Sequence, residues 1–205
     1  MTDCVFCAEI ERPCSIKSLI SIPYSDRIIY SDDYVLAFPG LGPQVFPYIL
    51  VVTKRHIVSL TQADCNERIA VLNCLHYLSK SGLYADDCLT VFEHGGDLSV
   101  GCSSIEHCHL HVVASSLNIK HHLKWYHNAS QIAIDSTGSF EDKGGYLLIA
   151  DYENDEMNGR VHSPDIIESQ YFRKVISRIK NDTDWDWRVI NNDDYIIRAL
   201  EFYKD

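Results

Sequence analysis

Apolar positions along the chain follow two different periods. Tyr34 to Phe38 is a short apolar run closed by Pro39-Gly40, and Tyr48 to Val52 is a second run with no charged residue in it. Runs of this length bounded by glycine and proline read as buried strands, and Gly40 to Pro47 between them reads as a loop. The spacing then changes. Ile69, Leu72, Leu75 and Leu78 recur every third residue, which predicts a helix capped by Thr61, with Asp64 three residues on and Gly82 as its stop. Leu89 to Phe92 predicts a strand running into a loop from Glu93 to Cys102, and His107 to Val113 predicts another strand. Beyond Ala114 the signal is sparser. Gln131 to Asp135 and Tyr146 to Ala150 read as strands. Ser163-Pro164 reads as the start of a helix with Phe172, Val175, Ile176 and Ile179 on one face, and Asp193 to Tyr203 as a last helix. This order suits an α+β fold: an antiparallel sheet with flanking helices over residues 1–114, and a C-terminal α/β extension, 115–205, packed on it.

Composition narrows the function classes. The 205 residues are 46% hydrophobic and 23% charged, enough apolar material for one elaborated domain. No run approaches the 18 or so apolar residues of a membrane span, and Met1 to Cys7 lacks the basic and apolar regions of a secretory signal. A cytoplasmic protein without a membrane partner is expected. The 29 acidic and 18 basic side chains give a net charge of −11, spread over both halves. General nucleic-acid binding, which draws its affinity from neutralising phosphates, is disfavoured. A small anionic ligand is not, because a few oriented donors in a cleft outweigh the global field. The eight cysteines are expected to be thiols or metal ligands in a reducing compartment.

The most informative residues are His107-Cys108-His109-Leu110-His111. Side chains alternate along a strand, so the three imidazoles share one face while Cys108, Leu110 and Val112 face the core. Stacking three amphipathic rings about 6–7 Å apart is a poor use of a purely structural surface. They either bind a metal or handle a charged group such as phosphate. Cys4-Val5-Phe6-Cys7 has the spacing of a metal-binding pair, a redox pair or two buried thiols.

His-x-His-x-His followed by Val112-Val113 resembles the histidine-triad (HIT) family of nucleotide hydrolases and transferases. Tyr48 to Thr53 with Lys54-Arg55-His56 is similar to that family's strand ending in Pro-Lys-x-His. Cys4 and Cys7 look like the cysteine pair of its zinc-containing members, and the C-terminal part resembles the tail of a longer bacterial-type group. The resemblance implies a HIT-like fold and a nucleotide phosphohydrolase that releases a nucleoside monophosphate from a dinucleoside polyphosphate or a nucleotide phosphoramidate. A nucleotidyltransferase and a non-catalytic nucleotide sensor are the alternatives. His109 would be the nucleophile, forming a nucleotidyl-histidine, and His111 would hold the phosphate and protonate the leaving group beside His107. Ser104, His94, Tyr48, Phe38 and Arg173 are implied substrate-binding residues, with Gln170 near Arg173. Glu93-His94-Gly95-Gly96 would form a phosphate-cradling loop. Cys4, Cys7, His56 and His107 would hold a structural zinc, with Cys14 as a spare ligand and no organic cofactor. The partner is a small-molecule nucleotide, and a family-like homodimer is allowed. Departures stand out: Gly40 lies where many members carry a ribose-binding aspartate, Tyr48 replaces an active-site imidazole, and Ser103 stands where a glutamine is common four residues before the triad. Lys120 to His127, basic and aromatic, reads as an exposed connector with the composition of a base-stacking segment.

Overall fold

The computed structural model describes residues 4–11, 24–84, 87–96, 105–135 and 144–204. Its helices are α1 (Val5–Glu11), α2 (Tyr24–Arg27), α3 (Cys65–Ser79), α4 (Tyr171–Lys180) and α5 (Asp193–Lys204). The strands are β1 (Tyr30–Ser31), β2 (Val35–Pro39), β3 (Tyr48–Thr53), β4 (Leu89–Gly96), β5 (His109–Ala114), β6 (Ser130–Ile134), β7 (Gly145–Glu153) and β8 (Glu156–His162). They form one sheet in the order β1-β2-β3-β5-β4-β7-β8-β6, with every neighbouring pair antiparallel. The fold is α+β, as expected. The extension does not form a separate layer. Strand β7 pairs with β4 along its whole length, so residues on both sides of position 114 share one sheet and one core.

Both faces of the sheet are covered, which explains why β2 and β3 read as continuous apolar runs. On one face, Val35, Ala37, Ile49, Val51, Val91, Leu110 and Val112 pack with Ala70, Val71, Cys74, Leu75 and Leu78 of α3. On the other, Leu36, Phe38, Tyr48, Leu50, Phe92 and Ile149 pack with Phe6 of α1 and with Phe172, Val175 and Ile176 of α4.

Three local expectations need correction. The cap of α3 is Asp64, not Thr61: its side chain accepts from the Glu67 N–H at 3.0 Å, and Glu67 accepts in return from the Asp64 N–H at 2.9 Å. This reciprocal box satisfies two otherwise orphaned donors, whereas Thr61 lies in a preceding 3-10 turn, and Ile69 is 40% exposed off the buried face. Next, α4 begins at Tyr171 behind Gln170, a left-handed residue, and Ser163-Pro164 precedes it in non-helical chain. Finally, Glu93 to Gly96 is not a loop but the second half of β4, paired with Leu148 to Gly145. Gly95 is what permits that pairing: a Cβ there would lie 2.0 Å from Cζ of Tyr146. The Tyr146 ring fills that space and donates its hydroxyl to Glu93, which is 1% exposed and also accepts from the Leu60 N–H at 3.0 Å. Residues 93–96 are therefore strand, with Gly95 packed against Tyr146 and Gly96 against Gly144 and Gly145.

Candidate functional site

The alternation expected of the histidine strand holds. Cys108, Leu110 and Val112 join the α3 core, and His109 and His111 sit on the opposite face, where Phe6 lies edge-on to both His107 (5.6 Å) and His109 (5.2 Å). Strand β5 begins at His109, but Cys108 still bonds neighbouring backbone, its N–H to the Ile57 carbonyl at 2.6 Å, so His107 is held in the line of the strand.

Each imidazole has a different partner, and the partner assigns its proton. His107 Nε2 lies 2.6 Å from the Thr53 carbonyl. A carbonyl only accepts, so the proton is on Nε2 and Nδ1 presents a lone pair. That Nδ1 faces sulfur: Cys4 Sγ at 3.3 Å and Cys7 Sγ at 3.6 Å, while His56 Nδ1 is 3.2 Å from Cys7 Sγ. The four donor atoms lie within 4.8 Å of one another. Two thiols and two imidazole nitrogens at these separations fit a tetrahedral zinc, and the Thr53 carbonyl is the outer partner that fixes the ligand's tautomer. Burial pulls the His107 pKa down to about 4, which keeps the ring neutral and ligating. With both ring nitrogens engaged, His107 meets the next imidazole through its backbone. Its carbonyl lies 2.6 Å from His109 Nδ1.

That contact places the His109 proton on Nδ1 and leaves Nε2 as a lone pair, while burial lowers the pKa of the ring. His111 lies between Leu50 and Phe92 on the neighbouring strands, stacked on the Phe92 ring at 4.8 Å and 10°. Its Nδ1 is 2.9 Å from the Tyr48 hydroxyl. Burial, then the neighbouring His109, His94 and Arg173, push its pKa well below the ordinary value, so His111 is neutral too.

The remaining expected residues divide. Phe38 is buried against Phe6 at 6.0 Å, under the Arg27 guanidinium. His94 stacks on Phe172 at 5.2 Å and its Nε2 accepts from the Phe172 N–H at 3.4 Å, so it faces α4. Arg173 is buried, with Nε donating to the Trp185 carbonyl at 2.8 Å and Nη2 to the Gly42 carbonyl, and its guanidinium lies over the Tyr48 ring at 5.6 Å. Gln170 bonds Asp186 and Trp187. Ser104 and Cys14 lie outside the described residues. In the Lys120 to His127 connector, Trp125 is only partly buried and stacks on His162 at 5.0 Å, with its indole N–H on the Tyr171 hydroxyl, while His121 and His122 are exposed. Two of the departures meet: a Cβ at Gly40 would lie 3.1 Å from the Tyr48 ring, so a larger residue at 40 would crowd this tyrosine, while Ser103 lies outside the described residues.

Sequence reasoning missed Phe6 and the Thr53 carbonyl. Phe6 had a signal, an apolar residue between the two cysteines; a backbone carbonyl has none. It also missed Arg55, whose guanidinium clasps Glu67 at 2.6 and 2.7 Å and ties the segment beside His56 to the start of α3.

Residues 24–117 match the family model of the HIT domain. The chain carries a HIT domain. The matched span contains His56 and all three triad histidines, while Cys4 and Cys7 precede it and α4 and α5 follow it. A 14 kDa zinc-binding protein of Zea mays is 28% identical over 110 residues, covering 50% of this chain and 82% of that protein. Among solved structures, a Zn-bound histidine triad family protein from Mycobacterium smegmatis is 25% identical, covers 55% of this chain and 74% of that one, and has a TM-score of 0.38. A histidine triad protein from Clostridium difficile is 27% identical, with 56% and 91% coverage and a TM-score of 0.40. No described helix is long and apolar enough to cross a membrane.

Proposed function

We propose that the protein is a nucleotide phosphohydrolase that works through a nucleotidyl-histidine intermediate and releases a nucleoside monophosphate. The observation that carries this reading is the contact of His109 Nδ1 with the His107 carbonyl, which leaves a neutral imidazole with its Nε2 lone pair free. Nε2 of His109 forms a bond to the α-phosphorus as the bond to the leaving group breaks, and the leaving group takes a proton held by His111. Water then attacks the phosphorus, the P–N bond breaks, its electron pair returns to Nε2, and the proton of the water restores His111. Dinucleoside polyphosphates and nucleotide phosphoramidates both contain such an α-phosphorus.

We further propose that Cys4, Cys7, His56 and His107 hold zinc. The ion supplies folding free energy at this site and takes no part in the displacement. A reducing cytoplasm is the compartment in which these thiols stay available to a metal. The test is to incubate the protein with a nucleotide panel, quench in alkali and search by mass spectrometry for a nucleotidyl adduct on His109. An adduct that decays to monophosphate supports hydrolysis. Decay only on addition of a phosphorylated acceptor selects a transferase, and tight nucleotide binding with no adduct selects a sensor.

A further inference from the structure

We infer that Glu93 is the positioning residue that holds His56 in reach of the cysteine pair, acting from the opposite face of the sheet. This assignment rests on the zinc reading above and deepens it. His56 is exposed; its ring meets Cys7 Sγ at 3.2 Å and lies edge-on to His107 at 5.1 Å. Side-chain packing therefore does little to fix this ligand, and its place is inherited from the backbone. That backbone, residues 54–59, is neither helix nor strand, so no ladder sets its course.

The chain becomes buried again at Ile57, Ser59 and Leu60. Leu60 donates its N–H to Glu93 Oε1 at 3.0 Å, and Cys108, the residue after His107, donates its thiol to the same oxygen at 3.4 Å. Cys108 also binds the segment directly, its N–H meeting the Ile57 carbonyl at 2.6 Å. One carboxylate oxygen thus gathers the chain beyond one histidine ligand and the neighbour of the other. The second oxygen accepts from the Tyr146 hydroxyl, so Glu93 is itself held by β7. Cys108 and Tyr146 both belong to the core under α3, away from the metal-binding cluster. On the outer flank Arg55 clasps Glu67, but its side chain is 53% exposed, whereas Glu93 is 1% exposed. An exposed guanidinium exchanges its partner for water at small cost, while a buried N–H left unpaired costs far more. The firm anchor is Glu93.

The experiment separates reach from charge. Glu93→Gln keeps the length and an acceptor oxygen for the Leu60 N–H but removes the charge. Glu93→Asp keeps the charge but is one methylene shorter, about 1.5 Å, and cannot meet Leu60 and Tyr146 together. Cobalt(II) is the probe, because the spectrum of a cobalt–thiolate site reports its ligands. Glu93→Asp is expected to bind cobalt at least about tenfold more weakly, with a spectrum shifted toward that of His56→Ala. Glu93→Gln is expected to stay within about threefold of wild type with its spectrum unchanged. The reverse order, or equal behaviour of the two variants, overturns the inference. Should Glu93→Asp fail to fold, Glu93→Met, which keeps the volume without an acceptor, takes its place with the same expectation. Leu148→Ala, at the β7 residue paired with Glu93, controls for general loosening. It should lower Tm yet bind cobalt as wild type does where both are folded; weakening as large as in Glu93→Asp overturns the inference. If wild type takes up neither cobalt nor zinc, the zinc reading fails, and amide exchange at Leu60 and Cys108 decides the anchoring. Glu93→Asp should then exchange about tenfold faster there than Glu93→Gln, and equal rates overturn it.

Discussion

Cys108, Leu110 and Val112 are each no more than 2% exposed and pack under α3, while His109 and His111 alternate with them on the opposite face. The first group has one requirement, volume. The second has several, because each ring must have its proton on a stated nitrogen. The His107 carbonyl meets that requirement at Nδ1 of His109, and the Tyr48 hydroxyl lies 2.9 Å from Nδ1 of His111. One strand thus separates stability from chemistry by side-chain parity alone, and substitutions on the two faces should fail in different ways.

The largest expected effect is on the imidazole face. His109→Asn keeps a polar side chain of similar reach and removes the proposed nucleophile, so turnover should fall by about a thousandfold or more while the melting curve and metal content stay near wild type. Normal turnover would break the division outright. On the other face, Leu110→Ala should lower folding stability by about 2–5 kcal/mol in denaturant titration. The fraction still folded should form the adduct normally.

The Cys4→Ser, Cys7→Ser double variant tests the site that belongs to both. It should lose its zinc by elemental analysis and drop by about 5–10 °C in Tm. One equivalent of zinc persisting in it would refute the metal assignment.

A pH profile sharpens the comparison further. The folded-state pKa values of His109 and His111 lie below the ordinary 6.5, so the unfolded chain binds protons that the folded chain refuses. Stability from this source is complete above about pH 6.5, declines as pH falls below it, and levels off once the folded-state values are passed. The acid limb of kcat/KM should likewise lie below about 6.5; a limb above it would mean that the nucleophile is not buried as described. The smallest effect concerns the sugar. Gly40 leaves no carboxylate for ribose hydroxyls, so matched ribo and deoxy substrates should differ by less than about a hundredfold in kcat/KM.

Much of this site was legible because it is written in side chains at fixed spacing. The triad's parity follows from strand geometry, while the grouping of Cys4 and Cys7 with His56 and His107 is what the resemblance to zinc-containing HIT proteins implies, and their donor atoms lie within 4.8 Å of one another. What was not legible depends on partners distant in sequence. Gly95 and Gly96 read as a loop because their strand conformation is enforced by Tyr146, some fifty positions away. Ser163-Pro164 has the local chemistry of a helix start, yet helix α4 begins where Phe172 meets Phe92 at 4.7 Å. Thr61 and Asp64 are both good caps, and the reciprocal bond to Glu67 selects Asp64.

The missing side chain at Gly95 has a consequence for how such a gene can be divided. The hollow it leaves is occupied by the Tyr146 ring, and the Tyr146 hydroxyl meets a carboxylate buried in the HIT core. A transcript ending after Ala114 would encode every triad histidine and all four residues proposed to hold zinc, yet Glu93 would lose a hydrogen-bond donor and β4 an entire paired edge. The 91 residues after Ala114 thus complete the sheet and the core that the first 114 begin.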